Sequence, residues 1–450
     1  MIVIELAIAL ILAAVILVQP YFGVVFIAAS LPIAEVLPNV SPITSVTPLL
    51  GGVTLVSFLF NRSKENKIGS FRFVNVHILG LLLIAWIFAS NPEAAWFGAD
   101  RNWVFTFIQL WVLLWLAGEL LDTPEKQRVL MWVYSLSAIL SALIAIREEN
   151  TTGVGLIISE RVMGLALGIN TAARYFVVAM VMLLYLRMAA LNRPMRSLAT
   201  SGVIITIIGL FATVSRTGIL LLFTAVGLLI LLQSGLKYKF QLIFLTSAVF
   251  SGLLFFSSNL INIINGIMPS ILQGTDTAGL RYELWKAGWR MWLAHPVLGV
   301  GIGMFPAQLK NYAQGLQIPP QYSGLVAHNM YVQALSETGI IGLALFIALL
   351  IAGLYNLWPG RKISDPNVAL LRNTWFVVFV IMLLGGITKT DQADKMLWLA
   401  MGISVVFRNP IKLAKHQRLA GRAIQLIRAK QNVARYPQPA IAKGEHNPDL

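Results

Sequence analysis

The stretch AHNMYVQALSETGIIGL at residues 327–343 decides the fold, because it begins an apolar run of membrane-spanning length with polar side chains. The run continues to residue 357 and is long enough to cross a bilayer as a helix. Polar groups are costly inside a bilayer, so His328, Gln333 and Glu337 each need a buried partner or a function. The stretch therefore predicts a membrane helix whose first turns carry chemistry.

The rest of the chain shares this apolar character. Hydrophobic residues make up 57% of the 450 residues and charged residues only 12%, which excludes a soluble globular protein. The apolar segments are continuous runs and lack the alternating pattern of a membrane barrel. We therefore predict an all-α, polytopic membrane helical bundle of about 12 transmembrane helices. The predicted spans are residues 2–18, 21–38, 43–60, 73–90, 102–120, 129–146, 171–188, 198–214, 217–234, 240–258, 330–357, 373–388 and 395–407.

The N-terminal region allows two arrangements. The first run carries Glu5 without a preceding Lys or Arg and has no small-residue cleavage site before Pro20, so we interpret it as a retained span. Three full spans before Arg62 place Met1 on the outer side. Two spans and a broken or re-entrant element place Met1 inside, and the prolines that favour such an element are Pro32, Pro38, Pro42 and Pro48.

The net charge of +15 is concentrated in loops between the predicted spans and in the C-terminal tail. By the positive-inside rule these segments are cytoplasmic. A basic tail beside a membrane binds anionic lipid headgroups, so we expect membrane lipids and no nucleic acid as partners. The clustered basic residues of the loops are Arg62, Lys64, Lys67, Arg72, Arg187, Arg193, Arg196, Lys237, Lys239, Arg361, Lys362 and Arg372.

This assignment divides the chain into four regions. Residues 1–258 form the N-terminal transmembrane helices with an outer loop near 147–170, and residues 259–327 form a long outer loop that contains short helices. Residues 328–408 form the C-terminal transmembrane helices, and residues 409–450 form the basic cytoplasmic tail.

Three arginines lie in outer loops, against the positive-inside trend: Arg161, Arg216 and Arg281. A guanidinium stays charged and grips phosphate oxygens through paired hydrogen bonds, so each arginine is a candidate for binding a diphosphate. Each also has a structural interpretation. Arg161 can pair with Glu160, and Arg216 can snorkel at a membrane boundary, although its tight Ser-Arg-Thr-Gly turn also suits an anion.

Arg281 begins a segment that has an interfacial interpretation as well. Three tryptophans at helical spacing suit a helix in the lipid headgroup layer, namely Trp285, Trp289 and Trp292. The next segment, residues 295–305, contains three glycines, but no strand precedes it and a tightly turned loop explains it better than a nucleotide site. We interpret His295, which stands just before a proline, as structural.

His328 stands where the long outer loop enters the membrane, near the first turn of the predicted helix. A helix N-terminus disfavours an imidazolium, so we expect His328 to be neutral near pH 7 and able to accept a proton from a hydroxyl. A purely hydrogen-bonding role is an equally good interpretation of a lone interfacial histidine. Metal ligation by cysteine is excluded, since the chain contains none.

Two stripes of the same helix have different properties. Asn329, Gln333 and Glu337 share a polar face that must contact protein or a wet cavity, and a packing role suits them at least as well as a direct one. Gly339 and Gly342 lie on the other stripe and permit close approach of a neighbouring helix.

The motif His-Asn-x-Tyr-x-Gln-x-Leu-x-Glu-x-Gly-x-x-Gly-Leu-x-x-Phe, spelled by residues 328–346, resembles the signature of the O-antigen ligase and polymerase superfamily of bacterial inner membranes. Supporting matches are Arg161-x-x-Gly164, the turn at residues 215–218, and Arg281-x-x-x-Trp285 followed by the glycine-rich segment. The resemblance extends from Arg161 to the last span. The first third of the chain matches in hydropathy only.

The resemblance implies a GT-C-like glycosyltransferase that takes a glycan from undecaprenyl diphosphate on the periplasmic face of the inner membrane. The residue matching the general base of the family is His328, and those matching its diphosphate-binding arginines are Arg161, Arg216 and Arg281. We expect inversion at the anomeric carbon, and transfer without a metal or another cofactor, since the outer loops offer no compact pair of carboxylates.

Several outcomes stay open within and beyond this class. The acceptor hydroxyl is expected to be that of lipid A core, as for a ligase, while a lipid-linked repeat unit or a protein side chain would define a polymerase or a protein O-oligosaccharyltransferase. A secondary transporter or lipid flippase also fits about a dozen spans. We disfavour it because the two halves show no internal repeat and the ionisable residues cluster at the outer boundary.

Overall fold

The computed structural model describes residues 2–37, 46–64, 73–97, 102–152, 163–166, 168–232, 277–318, 324–363 and 365–408. Across these ranges the chain forms helices and loops and contains no strand, which confirms the all-α prediction. The helices are α1 (Ile2–Val18), α2 (Tyr21–Ser30) with a 3-10 turn (Leu31–Ile33), α3 (Val46–Lys64), α4 (Asn75–Ser90), α5 (Pro92–Phe97), α6 (Trp103–Leu120), α7 (Pro124–Thr152), α8 (Ile169–Ala189), α9 (Arg193–Ala212), α10 (Arg216–Leu232), α11 (Thr277–Ala294), α12 (Phe305–Tyr312), α13 (Met330–Asn356), α14 (Pro366–Gly385) and α15 (Lys395–Val406).

Within the described residues, six helices are long and apolar enough to cross a membrane: α6, α7, α8, α9, α13 and α14. Four shorter apolar segments accompany them, namely α2 with its 3-10 turn, α4, α10 and α15. The predicted span at residues 240–258 lies outside the described residues. A polytopic helical membrane protein is therefore confirmed, whereas the number of about 12 spans stays a prediction.

Helix α8 lies in the middle of the bundle and packs against α7, α9, α10 and α14. Small residues permit the close crossings around it. Gly209 of α9 faces Ala142 of α7, and Gly218 of α10 faces Ala173 of α8, so that an added methyl group would collide in both places. Close packing through small residues is how membrane helices associate when lipid removes the hydrophobic driving force.

The bundle has two chemically different ends. We call one end, where α3 ends with Arg62 and Lys64, the basic end. Here Arg62 pairs with Glu119 at the end of α6, at 2.6 Å. The middle of α14 contacts the start of α7, since Trp375 Nε1 donates to Gln127 Oε1 at 2.9 Å. We call the opposite end, where α13 begins with the segment of His328, the histidine end.

Contacts at the ends of the N-terminal helices show which of these ends lie together. Ser57 Oγ donates to the Ile16 carbonyl at 2.8 Å, so α1 and α3 both end at the basic end, while Lys126 lies over the Tyr21 ring where α2 begins. Helix α2 then runs back and ends in the 3-10 turn at Pro32. Because α2 has only ten residues and breaks into a 3-10 turn at Pro32, the number of spans before Arg62 and the side of Met1 stay predictions.

The described part of the predicted outer loop and the entry to α13, residues 277–318 and 324–329, which we call the outer segment, has a small hydrophobic core of its own. Leu284 and Met291 of α11 pack with Phe305 and Leu309 of α12. The segment packs on α13 at Gly288, which lies so close to the Val332 side chain that an added methyl group would collide with it. The described residues of the long loop predicted before the histidine, 277–318 and 324–327, therefore contain two helices that pack together and contact α13.

Candidate active site at the start of α13

His328 lies two residues before the first residue of α13 and has a left-handed backbone, with a φ of 49°. Asn329 caps the helix, because its Oδ1 accepts hydrogen bonds from the backbone N–H groups of Tyr331 at 2.9 Å and Val332 at 3.1 Å. The prediction that a histidine stands at the entry of a membrane helix is confirmed to within two residues.

The backbone around His328 is held from three directions. Gln333 Oε1 accepts from the Ala327 N–H at 2.8 Å, and Trp285 Nε1 donates to the Ala327 carbonyl at 3.0 Å. Beyond the cap, the Met330 N–H donates to the Gly386 carbonyl at 2.8 Å. A residue other than glycine adopts positive φ at a free-energy cost, and such a conformation persists where the surroundings fix it, as they do here.

The electrostatic surroundings favour a neutral imidazole. Burial lowers the pKa of His328, and the nearby charges of Arg281 and Lys389 lower it further. A histidine whose pKa lies below its usual range is unprotonated near pH 7. The expected neutral state thus agrees with the surroundings, in which burial and two cations act in the same direction as the helix N-terminus that the sequence suggested.

Lys389 was not among the residues predicted for the site. It lies in the loop between α14 and α15, and its Nζ donates a hydrogen bond to Thr171 Oγ1 at the start of α8. Asp391 Oδ1 lies 3.6 Å from the same nitrogen. The available signal was the one used for the arginines. The predicted span at 373–388 follows the basic, cytoplasmic loop of Arg361, Lys362 and Arg372, so the next loop is expected on the outer side, where a lysine opposes the positive-inside trend.

Two aspartates of the same loop share one buried guanidinium. Arg174 of α8 is ion-paired with Asp391 and, at 2.7 Å, with Asp394, and all three side chains are buried. Tyr175 donates its hydroxyl to Asp394 Oδ2 at 3.1 Å. The expectation that the outer loops offer no compact carboxylate pair is therefore wrong, because Asp391 and Asp394 of one loop bind the same guanidinium.

Arg216 is the first residue of α10 and is exposed at the histidine end. The turn before it is tight, as predicted: Val214 has a φ of 48°, and Ser215 Oγ accepts from the Gly218 N–H at 3.1 Å. The same hydroxyl donates to Asn170 Oδ1 at 2.9 Å. Because Asn170 precedes Thr171, the partner of Lys389, this turn belongs to the same end of the site.

Arg161 lies outside the described residues. Three residues further on, Gly164 has a φ of 59° and packs so closely on Ser141 of α7 that a side chain would collide with the Ser141 carbonyl. The Leu165 N–H donates to Ser141 Oγ at 3.0 Å. The glycine of the Arg-x-x-Gly match is thus explained by a close approach of two backbones.

Gln333 and Glu337 connect His328 to the outer segment. Gln333 Nε2 donates to Glu337 Oε1, which also accepts from the Phe305 N–H at 3.2 Å at the start of α12. Both side chains are buried. Their hydrogen bonds fit the packing role that was weighed for them, since one carboxylate holds α12 and, through Gln333, the residue before the histidine.

Helix α13 is broken at Gly339, which has a φ of 66° and a ψ of −171°. The glycine-rich loop docks into the break: the Val300 N–H donates to the Ser336 carbonyl at 2.9 Å, and the Ile340 N–H donates to the Pro296 carbonyl at 2.9 Å. Hence Gly339 gives room to a loop, and the prediction of a neighbouring helix there is wrong. The predicted tight loop is confirmed by positive φ at Gly299, Gly301 and Gly303.

The second glycine of that stripe behaves as predicted. A methyl group on Gly342 would approach the Trp86 ring of α4 at 3.1 Å, so a neighbouring helix does come close at this position. Trp86 Nε1 also donates to the Thr338 carbonyl at 2.9 Å, which satisfies a backbone group that the helix break leaves without its helical partner.

Helix α11 presents different faces to the protein and to the surroundings. At 100° per residue, Arg281 and Trp285 share one face, and Trp285 is bonded to the residue before His328. Tyr282, Trp289 and Leu293 lie on the adjacent stripe and are exposed. The three tryptophans thus share one side of the helix, with Trp285 bonded to the residue before His328 and Trp289 exposed, and their interfacial role stays a prediction.

These features define a multi-pass helical membrane protein with a neutral histidine, flanked by cations, where a helix begins. Residues 201–347 match the family described as O-antigen ligase, which confirms the resemblance to the O-antigen ligase and polymerase superfamily. The matched range contains Arg216, Arg281 and His328 and excludes Arg161 and Lys389. A search of curated proteins found no match. The family match supports an enzyme of the glycosyltransferase type that acts in a context of lipid-linked glycans and membrane lipids.

Proposed function

We propose that the protein transfers a glycan from undecaprenyl diphosphate to a hydroxyl of lipid A core, with His328 as the general base. The observation that carries this proposal is the surroundings of the imidazole: it is half-buried, its backbone is fixed, and the charges of Arg281 and Lys389 disfavour its protonation. A base that is unprotonated at the working pH and held in one place suits proton removal from a hydroxyl.

The reaction is a single displacement. The acceptor oxygen forms a bond to the anomeric carbon while the bond from that carbon to the diphosphate oxygen breaks and the diphosphate leaves with the electron pair. The hydroxyl proton moves to His328. Because attack and departure occur on opposite faces of the sugar, the configuration at the anomeric carbon inverts.

Cations stabilise the charge that grows on the leaving diphosphate. We assign this role to Arg281 and Arg216 at the histidine end and to Arg161, which precedes the Gly164 turn. The transfer is proposed to need no metal ion or other cofactor. A supporting observation is that Asp391 and Asp394, the compact carboxylate pair at this end, are both engaged by Arg174.

Asn329, Gln333 and Glu337 are proposed to position the base. Asn329 fixes the start of α13, while Gln333 and Glu337 join the residue before His328 to α12. None of the three needs to touch the substrate for this role. Losing one of them displaces the imidazole from the acceptor hydroxyl, which lowers the rate of transfer.

The histidine end is proposed to face the periplasm and the basic end the cytoplasm of a bacterial inner membrane. In this orientation the exposed stripe of Tyr282, Trp289 and Leu293 on α11 lies in the outer headgroup layer. The basic tail, residues 409–450, binds anionic lipid on the other side. The proposed partners are thus a lipid-linked donor, a hydroxyl acceptor and membrane lipids.

The proposal is tested with purified protein in lipid nanodiscs and undecaprenyl-diphosphate glycan in the presence of EDTA. Lipid A core, a second lipid-linked glycan and a Ser/Thr peptide are offered as separate acceptors, and the product is identified by mass. Glycan on lipid A core is the expected result. Product on the second glycan or on the peptide would identify a polymerase or a protein O-oligosaccharyltransferase instead.

The base assignment needs its own variants. We expect His328→Ala to lower turnover about 10²- to 10⁴-fold. His295→Ala is the matched control, because this histidine also lies in the outer segment but is exposed and bonded to the Tyr312 hydroxyl. Turnover by His328→Ala close to that of the unaltered protein would contradict the assignment.

A further inference from the structure

We propose that Lys389 is an additional donor-binding residue, whose ammonium group contacts a phosphate oxygen of the lipid diphosphate between His328 and Arg216. This inference rests on the proposed function, because it names a further residue for the same site. It also assigns a role to the loop between α14 and α15, which lies outside the region of the family match.

The backbone places this loop beside the histidine. The Gly386 carbonyl accepts the hydrogen bond of the Met330 N–H at 2.8 Å, two residues after His328. Gly386 also packs against the Met330 side chain so closely that an added methyl group would collide with it. Lys389 follows Gly386 by three residues, so it starts from a point fixed against the entry of α13.

The side chain points from there to the start of α8. Its Nζ donates to Thr171 Oγ1, and the neighbouring Asn170 accepts the hydroxyl of Ser215 at 2.9 Å, directly before Arg216. Lys389 is therefore connected to both cationic segments predicted for the site, one beside His328 and one at α10. A diphosphate that spans these segments passes the Lys389 ammonium.

Lys389 also has capacity for a ligand. An ammonium group carries three donors, and among the described residues one of them is used by Thr171, while Asp391 lies at 3.6 Å. The other oxygen of Asp391 is bound to the buried Arg174. The Lys389 side chain itself is 31% exposed, unlike the fully buried Arg174, so a phosphate oxygen can reach it.

The electrostatics of the histidine agree with this placement. The positive charge of Lys389 is one of the causes that lower the pKa of His328, after burial and Arg281. A single anionic group near the imidazole would therefore be attracted by both cations. It would also partly cancel their effect on the base once the donor is bound.

The test measures binding of undecaprenyl diphosphate without glycan to the purified protein in nanodiscs, with inorganic diphosphate as a second probe that lacks the lipid. We expect Lys389→Met to raise the Kd for undecaprenyl diphosphate at least about tenfold, and Lys389→Arg to retain most of the affinity. Lys389→Gln removes the charge but keeps a donor for Thr171, and it should behave like Lys389→Met. Lys286→Met, on the exposed face of α11, is the control and should bind normally.

A second readout separates binding from a merely structural role. Removing the Lys389 charge raises the pKa of His328, so the acidic limb of the pH profile of kcat/KM should move to higher pH in Lys389→Gln. An unchanged Kd in both neutral variants would overturn the inference, as would a loss of thermal stability with unchanged donor affinity in the folded fraction. Donor binding that weakens in these variants, combined with no glycan transfer by the unaltered protein, would leave the Lys389 site intact and contradict the proposed function.

Discussion

The two ends of the helical bundle use their charged residues in different ways. At the basic end, the pairs at the start of α7 are local, Lys126 with Asp122 at 2.7 Å and Arg128 with Glu125 at 2.8 Å, and the remote pair of Arg62 and Glu119 is partly exposed. At the histidine end, the ion pair of Arg174 and Asp391 joins residues 217 positions apart. Local pairs at helix ends add little to the fold, whereas remote buried pairs bring segments together into a site.

The largest effect is expected from breaking the remote pair. Arg174→Leu leaves Asp391 and Asp394 buried without their cation, which we expect to cost about 3–5 kcal/mol in the free energy of unfolding. The measurement is the thermal unfolding midpoint in detergent, monitored by the fluorescence of a label at the histidine end. Arg174→Leu combined with Asp391→Asn and Asp394→Asn should recover part of the loss, since no buried charge remains unpaired.

A midpoint of Arg174→Leu equal to that of the unaltered protein would remove the contrast between the two ends. It would indicate that the aspartates are protonated or reach solvent in the folded protein. In that case the triple variant should show no recovery either. The midpoints of the single and the triple variant thus both test whether the aspartates are charged and buried.

The next effect concerns the break in α13. Gly339→Ala requires a φ of 66° with an extended ψ, a region that is open essentially to glycine only, and its methyl group would collide with the Val297 carbonyl. We expect a cost of about 1–3 kcal/mol and looser docking of the outer segment. Faster proteolysis of residues 277–318 in the folded protein would report this loosening.

Gly227→Ala is the matched control for this prediction. Gly227 lies inside α10, and no atom lies within 4 Å of the position of an added methyl group. Alanine in a helix interior is favoured over glycine by about 0.5–1 kcal/mol, so this variant should keep or gain stability. Equal proteolysis rates in the two variants would show that the loop does not depend on the break.

Much of the fold followed from the apolar runs, because span length and turn residues are local properties. The entry of α13, the tight turn before Arg216 and the turned glycine loop were all predicted from neighbouring residues. The break at Gly339 was not, since an apolar run continues unchanged through it. Whether a glycine admits a helix or a loop depends on a partner that is remote in sequence.

The candidate site was predictable to the same extent. His328 and Arg281 were both predicted from the sequence, and the charge of Arg281 lies near enough to lower the pKa of His328. Arg174 was overlooked although it stands inside a predicted span, where an arginine requires a partner. That rule predicts the existence of a counter-charge but not its identity, because Asp391 and Asp394 become neighbours only when α8 packs beside the α14–α15 loop.

Replacing the carboxylate that joins α12 to the site should have an effect of similar size. Glu337→Leu leaves the Phe305 N–H and the Gln333 amide without their acceptor, which we expect to cost about 1–3 kcal/mol and to lower kcat with little change in donor affinity. Glu337→Gln keeps an acceptor oxygen and should be close to the unaltered protein. Equal kcat values for the two variants would contradict the positioning role.

The pH dependence distinguishes the ends as well. His328 accepts a proton only when it is unprotonated. Its lowered pKa keeps it unprotonated at pH values at which an ordinary histidine is already protonated. Arg281→Met removes one cause of that lowering, so the pKa rises and the acidic limb of kcat/KM moves to higher pH. Arg128→Met at the basic end should leave the profile unchanged, and an equal shift in both variants would point to a general charge effect.

The smallest effect is expected from a local pair at the basic end. The Lys126 and Asp122 side chains are 35% and 50% exposed, so water screens their attraction and holding both side chains in place costs entropy. We expect Lys126→Met to change the unfolding free energy by less than about 1 kcal/mol and to leave turnover unaffected. A larger loss would mean that the contact of Lys126 with the Tyr21 ring, 5.8 Å from its centre, ties α2 to α7 more strongly than the ion pair stabilises the start of α7. Tyr21→Leu would then reproduce the loss and Asp122→Asn would not, which assigns the effect to the ring.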